Sequence, residues 1–252
     1  MIIPRFFGAG VLVGVLLGEL VFAEGQGAGA IPPAKREQTT SDLRHFWNFD
    51  SDRPGETPNG FSASTTGEGP SAQWKIEADP QAPSGPNRLI QAAPCPSGAS
   101  TCFQVLLAEG TIYEYPDLAV RMRAASGGNQ GAGGLVFGAQ DARNFYAAIV
   151  DLATDTLEVI RVLDGQITLL GRQSVKRDKS EWHRLRAQHN TILSKDYVEV
   201  SFDGRVVFST WEKALGSGKI GLVTRGEAAL AFDNLNAIQL FSQRPLSPPA
   251  AY

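Results

Sequence analysis

Residues 182–240 read WHRLRAQHNTILSKDYVEVSFDGRVVFSTWEKALGSGKIGLVTRGEAALAFDNLNAIQL, short bursts of alternating polar and apolar residues separated by turn formers. A side-chain period of two marks half-buried strands, because successive Cβ atoms point to opposite faces of a sheet. Val198, Val200 and Phe202 fall on one side of YVEVSF. Asp203-Gly204 then supplies the pair favoured by a two-residue type I′ hairpin, whose central residues both need positive φ. Two further strands, 220–224 and 228–232, flank a Gly226-Glu227 turn, and 235–241 closes the sheet. A chain ending this way folds into antiparallel sheets.

The preceding residues extend the pattern. Strands are expected at 43–49, 74–77, 88–92, 102–107, 134–139, 145–151, 156–162 and 167–171, with Asp164-Gly165 as a hairpin turn. In 117–123, Leu118, Val120 and Met122 alternate with Ala119, Arg121 and Arg123. Residues 50–72 hold Gly, Pro, Ser and Thr and read as a long loop. Helical periodicity is confined to a turn or two around 210–215. Many strands at short intervals, with 27 Gly and 15 Pro to turn between them, predict an all-β fold: a two-sheet antiparallel jelly-roll sandwich.

The ends read differently. Arg5 followed by an apolar run over 6–17 and by Val21-Phe22-Ala23 resembles an export signal over 1–23. The same run, taken to residue 23, is near the lower length limit for an uncleaved membrane anchor. Residues 24–42 read as a flexible linker, 43–241 as the sandwich, and 242–252 as a Pro-rich tail. Cys95 and Cys102 sit in the Pro/Gly/Ser-rich segment PCPSGASTC, and in an exported chain they are expected to pair locally. A formal net charge of -3 supplies no basic stripe for nucleic acid. The expected location is periplasmic or extracellular, with no membrane contact beyond the export signal and a monomer by default.

Three groups of segments carry a family resemblance: AGGLVFGAQDARNFYAAIVD at 132–151, EWHRLRAQ with VSFDGRVVF at 181–188 and 200–208, and GKIGLVTRGEAALAFDNLNA at 218–237. Together they resemble the concanavalin A-like lectin and glucanase jelly rolls of bacterial exported proteins. They are most similar to laminin-G-like domains and to domains labelled 3-keto-disaccharide hydrolase, themselves similar to family 16 glycoside hydrolases. The resemblance spans nearly all of 43–241, but its motifs are structural: turn glycines, alternating apolar residues, and a Trp and a Phe that fill the core. It implies a sugar on the concave sheet face. It also implies a structural calcium ion near Asp233 of the last strand, with Asp50 at the end of the first strand as a partner. Where relatives carry arginines on the concave face, this chain has Gly138 and Ile149.

The chemistry-bearing residues are sparse. Retaining glycosidases of family 16 place their carboxylates on one strand as E-x-D-x-x-E, so that alternate residues share a face, and no such triplet occurs. Asp151, Asp155 and Glu158 spread over a strand end, a turn and the next strand, as solvated turn carboxylates would. In E-W-H-R-L, an inward Trp182 would turn His183 toward the opposite side and a possible ligand. His45 and His189 stand apart from any serine or cysteine nucleophile. Arg121, Arg123, Gln140, Asn144, Tyr146, Asp151 and Arg161, with His183, remain as candidate ligand contacts. No catalytic residue is nominated, and no cofactor beyond the calcium ion. The expected function is an exported, non-catalytic module that recognises carbohydrate. The rivals are a hydrolase or lyase acting on a 3-keto-glycoside, and a laminin-G-like module for cell-surface protein contacts.

Overall fold

A computed structural model describes residues 44–126, 130–178, 182–192 and 195–240. The expected signal, linker and tail lie outside the described residues. In chain order the strands are β1 (Arg44–Trp47), β2 (Phe61–Thr66), β3 (Trp74–Ala78), β4 (Asn87–Gln91), β5 (Phe103–Ala108), β6 (Pro116–Ala124), β7 (Ala132–Asp141) and β8 (Asn144–Asp151). They continue with β9 (Thr156–Leu163), β10 (Gln166–Ser174), β11 (His183–Ile192), β12 (Lys195–Phe202), β13 (Arg205–Trp211), β14 (Lys219–Arg225) and β15 (Leu230–Gln239). One sheet runs β13-β12-β11-β6-β15-β4-β3, with β1 also paired to β15, and the other runs β10-β9-β8-β7-β14-β5-β2. All strand pairings are antiparallel. This is the expected all-β two-sheet sandwich.

The alternation puts one side of each strand into a common core between the sheets. Leu118, Val120 and Met122 of β6, Leu185 and Ala187 of β11, and Val198, Val200 and Phe202 of β12 meet Leu135, Phe137, Tyr146, Ala148, Val159 and Leu222 from the other sheet. Both predicted hairpin turns have positive φ at each central residue: 50° and 81° at Asp164-Gly165, 46° and 78° at Asp203-Gly204. A second apolar cluster lies on the opposite face of the seven-stranded sheet. It includes Phe103, Val105, Val136, Phe145, Ala147, Ile149, Ile160, Val162 and Val223, all buried. The Phe103 and Phe145 rings meet edge to face at 6.1 Å. The Thr66 hydroxyl donates to the Ala142 carbonyl. These contacts carry the β7–β8 turn across that face toward β5 and β2.

Several expectations are corrected. The loop expected over 50–72 contains β2. Its sequence, FSASTT, has too little apolar contrast to signal a strand, but β5 offers it a free edge, with Phe61 opposite Ala108 and Thr66 opposite Phe103. No helix forms at 210–215, because β13 continues to Trp211 as the partner of Tyr197. The two strands expected at 228–232 and 235–241 are one strand, β15. It is kinked by a bulge between Asp233 and Asn236, where Asn234 has φ 53°. The bulge falls where β15 changes partners along one edge, from β4 at Ala231–Phe232 to β1 at Leu235–Ile238.

Candidate functional site

A concavity among the described residues lies at the end of the sandwich where β14 turns into β15. β14 stops at Arg225, and Gly226 (φ 78°) reverses the chain beside the start of β7 and the end of β8. Cys95 and Cys102 form the expected disulfide. The Cys95 N–H donates to the Gly226 carbonyl at 3.0 Å, which fixes the short bridged loop beside the turn. Two adjoining depressions of about 300 and 340 Å³ share Ala132, Asp151, Arg225, Gly226 and Glu227. The first is walled by Pro96, Gly98, Ala99 and Ser100 of the bridged loop, and the second by Gln130, Gly131, Ala153 and Ala228. They make one groove with a small-residue floor and charged rims.

Its electrostatics centre on Glu158. The Arg225 Nη2 donates to Glu158 Oε2 at 2.5 Å, and the Arg172 Nε donates to Oε1 at 2.6 Å. Burial would raise the Glu158 pKa, but the guanidinium groups of Arg225 and Arg172 outweigh it and hold the carboxyl below its usual range. Asp151 Oδ1 accepts from the backbone N–H of Ala153 at 2.9 Å and of Thr154 at 3.2 Å. The three carboxylates expected to be solvated are therefore engaged. Glu158 is buried between two arginines, Asp155 takes the Arg177 Nε at 2.7 Å, and Asp151 caps its own turn. Arg225, anchored by Glu158, lines the groove together with Asp151 and Glu227. The groove thus combines a guanidinium, two carboxylates and small apolar residues, groups that can meet the hydroxyls and C–H faces of a polar ligand. Glu158, locked in its ionised form, is the opposite of a general acid, which needs a raised pKa.

Of the eight nominated ligand contacts, only Asp151 lines this groove. Arg121 and Arg123 lie on the outer face of the eight-stranded sheet. There Arg123 donates to Asp79 at 2.5 Å and covers the Trp182 ring at 4.7 Å. Trp182 thus faces outward, its indole N–H on the Gln81 carbonyl at 3.2 Å, and does not fill the core. His183 faces inward, stacked on Phe202 at 5.2 Å, with Nδ1 2.7 Å from Asp203 Oδ2. The parity is set by Arg184 and Arg186, whose guanidinium groups cannot enter a packed core, so His183, Leu185 and Ala187 must. Gln140 donates to the Ser217 carbonyl at 2.5 Å, and Asn144 braces its own turn through Asp141 at 3.1 Å. Tyr146 and Arg161 converge on Glu212, at 3.0 and 3.1 Å, and the Tyr146 oxygen also accepts the Leu215 N–H at 2.8 Å. Those two residues secure the crossover from β13 to β14. Arg225, Glu227 and the walls of the bridged loop were missed by sequence reasoning, which took Gly226-Glu227 only as a turn and the cysteines only as a closure. The pairing of a local disulfide with a charged turn was the available signal.

Asp233 is fully buried at the β15 bulge. Its carboxylate accepts from the Ser84 N–H and hydroxyl, each at 3.0 Å, and from the Asn234 N–H at 2.7 Å. Burial raises its pKa, the bonds from Ser84 and Asn234 work against that, and the nearby Asp50 carboxylate raises it further. Asp50 Oδ1 accepts the Asn87 N–H at 3.2 Å. The Asn234 Oδ1 is buried without a hydrogen-bond partner. Both oxygens of each carboxylate already accept from protein donors, Asp50 Oδ2 taking the Asn48 side-chain amide at 2.7 Å. Among the described residues no group of three or more His, Cys, Asp or Glu side chains is arranged to hold a metal, so amide and backbone oxygens would have to complete any shell.

Comparison with known proteins defines the class. No protein-family model matches the sequence, and no curated protein does. Solved structures do match in shape. The carbohydrate-binding module CBM66 from Bacillus subtilis superposes with a TM-score of 0.56 at 17% identity, over 71% of this chain and 96% of that one. The carbohydrate recognition domain of Emp47p gives 0.52 at 14% identity, over 79% and 96%. A β-glucanase from Bacillus licheniformis gives 0.51 at 10% identity, over 79% and 98%. The chain shares the two-sheet jelly-roll sandwich fold of these proteins, and at these identities the likeness is one of fold.

Proposed function

We propose that the protein is a non-catalytic carbohydrate-binding module whose glycan lies in the groove between the bridged loop and the Gly226-Glu227 turn. The observation that carries this reading is the convergence of Arg225, Asp151 and Glu227 on a shallow, apolar-floored depression. It is supported by two neighbours of similar shape, one a carbohydrate-binding module and one a carbohydrate recognition domain. The centre of the outer face of the seven-stranded sheet offers a sugar little, since Ile149, Val136, Ala147 and Val223 are buried there against other apolar groups. The ligand therefore sits at the end of that sheet, not across its middle. An exported protein, periplasmic or extracellular, fits the disulfide, and among the described residues no helix is long and apolar enough to cross a membrane. A glycan array probed with wild type, Arg225→Ala and Glu227→Ala tests the reading. Binding to at least one glycan, weakened about tenfold or more in both variants, is expected. No binding, or binding indifferent to both substitutions, contradicts it.

The family resemblance also implies a calcium ion, and the paired approach of Asp50 and Asp233 with the unpartnered Asn234 Oδ1 supports placing one there. Bound, the ion would neutralise two carboxylates and tie the segment after β1 to the bulge of β15. The expected outcome is a melting temperature about 5 °C or more higher in millimolar calcium than in chelator. An identical melting temperature in the two contradicts it.

A further inference from the structure

At the opposite end of the sandwich the chain presents an aromatic surface that the groove does not use. Trp211, the last residue of β13, is 58% exposed although it lies beside Tyr197 across a strand pair. The two rings are 5.8 Å apart and tilted by 54°. Leaving a large apolar ring this open has a cost in water, and packing could have covered it. Beside it is a depression of about 330 Å³ lined by Trp211, Lys195, Asp196, Glu212, Lys213 and Ala214.

The charges around the ring are not self-compensated. Glu212 is consumed by Arg161, Tyr146 and the Ala214 N–H. Burial would raise the Glu212 pKa, but those partners prevail and keep it ionised. The Lys195 ammonium rests 5.6 Å from the Trp211 ring centre, and neither Lys195 nor Lys213 forms an ion pair among the described residues. One carboxylate, Asp196, remains to accept hydroxyl protons. The depression therefore combines a flat apolar platform, two available cations and one acceptor.

We infer that this surface is a second glycan site, selective for a sugar that carries a carboxylate, a hexuronate unit. Its C–H face lies on Trp211, its carboxylate is met by Lys195 and Lys213, and Asp196 accepts from a ring hydroxyl. A neutral sugar would fill the same platform but leave both cations unmatched. Two glycan sites at opposite ends of one small sandwich would favour long acidic polysaccharides over short oligosaccharides, through an increase in effective concentration. The inference shares with the proposed function a glycan ligand, but not the groove.

The experiment titrates full-length wild type, Trp211→Ala and Arg225→Ala with trigalacturonate and with the corresponding neutral galactose trimer, at low salt and at 0.5 M salt. Trigalacturonate is expected to bind wild type at least tenfold more tightly than the neutral trimer, with affinity falling at high salt. Trp211→Ala should abolish that preference, and Arg225→Ala should leave it intact. Lys195→Gln/Lys213→Gln, which keeps the ring, should equalise the two trimers and so separates loss of charge from loss of fold. Equal affinity for both trimers in wild type, no binding of trigalacturonate, or a preference that survives Trp211→Ala overturns this second site. Loss of neutral-glycan binding in Arg225→Ala with the trigalacturonate response retained would confirm both sites as separate. Loss of the uronate response itself in Arg225→Ala overturns the placement at Trp211.

Discussion

His189 follows the parity of β11, in phase with His183, Leu185 and Ala187. It points into the core, among the rings of Tyr115, Tyr146 and Phe137 at 6.0 to 6.3 Å. Burial pushes its pKa down, and the charges of Asp196 and Glu212, with the Glu212 backbone, only partly oppose this. The Glu212 backbone lies close to the ring, yet neither ring nitrogen makes a well-aligned hydrogen bond. The folded state thus keeps the imidazole neutral while the unfolded chain protonates near its ordinary value of 6.5. Stability from this residue is complete above that value and is lost as pH falls below it. The urea midpoint should therefore drop between pH 7.5 and pH 5.5 in wild type and drop less in His189→Phe. Equal drops in the two proteins would contradict the assignment. Glu158, its pKa lowered by two arginines, adds a separate loss only at still lower pH, as the carboxyl is protonated. At this scale the sequence was legible in parity, since strict alternation told which residues share a face. It was ambiguous in sign for residues 182–188, where the bulk of Trp182 argued for the core and the charge of Arg184 and Arg186 argued, correctly, for the other way round.

Strands were legible where apolar contrast was strong and illegible where pairing alone made them. β6, β8, β9 and β12 lie where alternation puts them, whereas β2 exists because the edge of β5 needs a partner. The bulge that joins two expected strands into β15 has no apolar signature either. Its cause is the change of partner from β4 to β1, which two strands sharing one edge impose. The crossing of β14 between β5 and β7 carries a steric demand of its own. At Gly221 a Cβ would stand 1.9 Å from the Leu106 carbonyl oxygen, a backbone atom that cannot move aside without breaking the β5 pairing. Gly221→Ala should destabilise the fold by about 3 kcal/mol, at the upper end of what overpacking costs. Chemical denaturation measures this, and a loss under about 0.5 kcal/mol would show that the two strands can separate to admit a methyl group.

For the molecule as a whole, turns and alternation were enough to specify two antiparallel sheets, and the shared shape with carbohydrate-binding sandwiches follows from that architecture. The candidate site was much less legible. Its groove is assembled from three places far apart in the chain, the bridged loop at 95–102, the start of β7 with the end of β8, and the turn after β14, brought together only by register. A strand face can be read from spacing within one segment, whereas a groove between loops cannot. Of the residues nominated in advance only Asp151 lies in it. Mapping amide chemical-shift changes while a bound glycan is titrated into isotope-labelled protein tests the central claim most directly. Shifts concentrated at residues 96–100, 130–132, 151–153 and 225–228 are predicted, and shifts confined to the middle strands of the seven-stranded sheet, leaving those segments unperturbed, would contradict it.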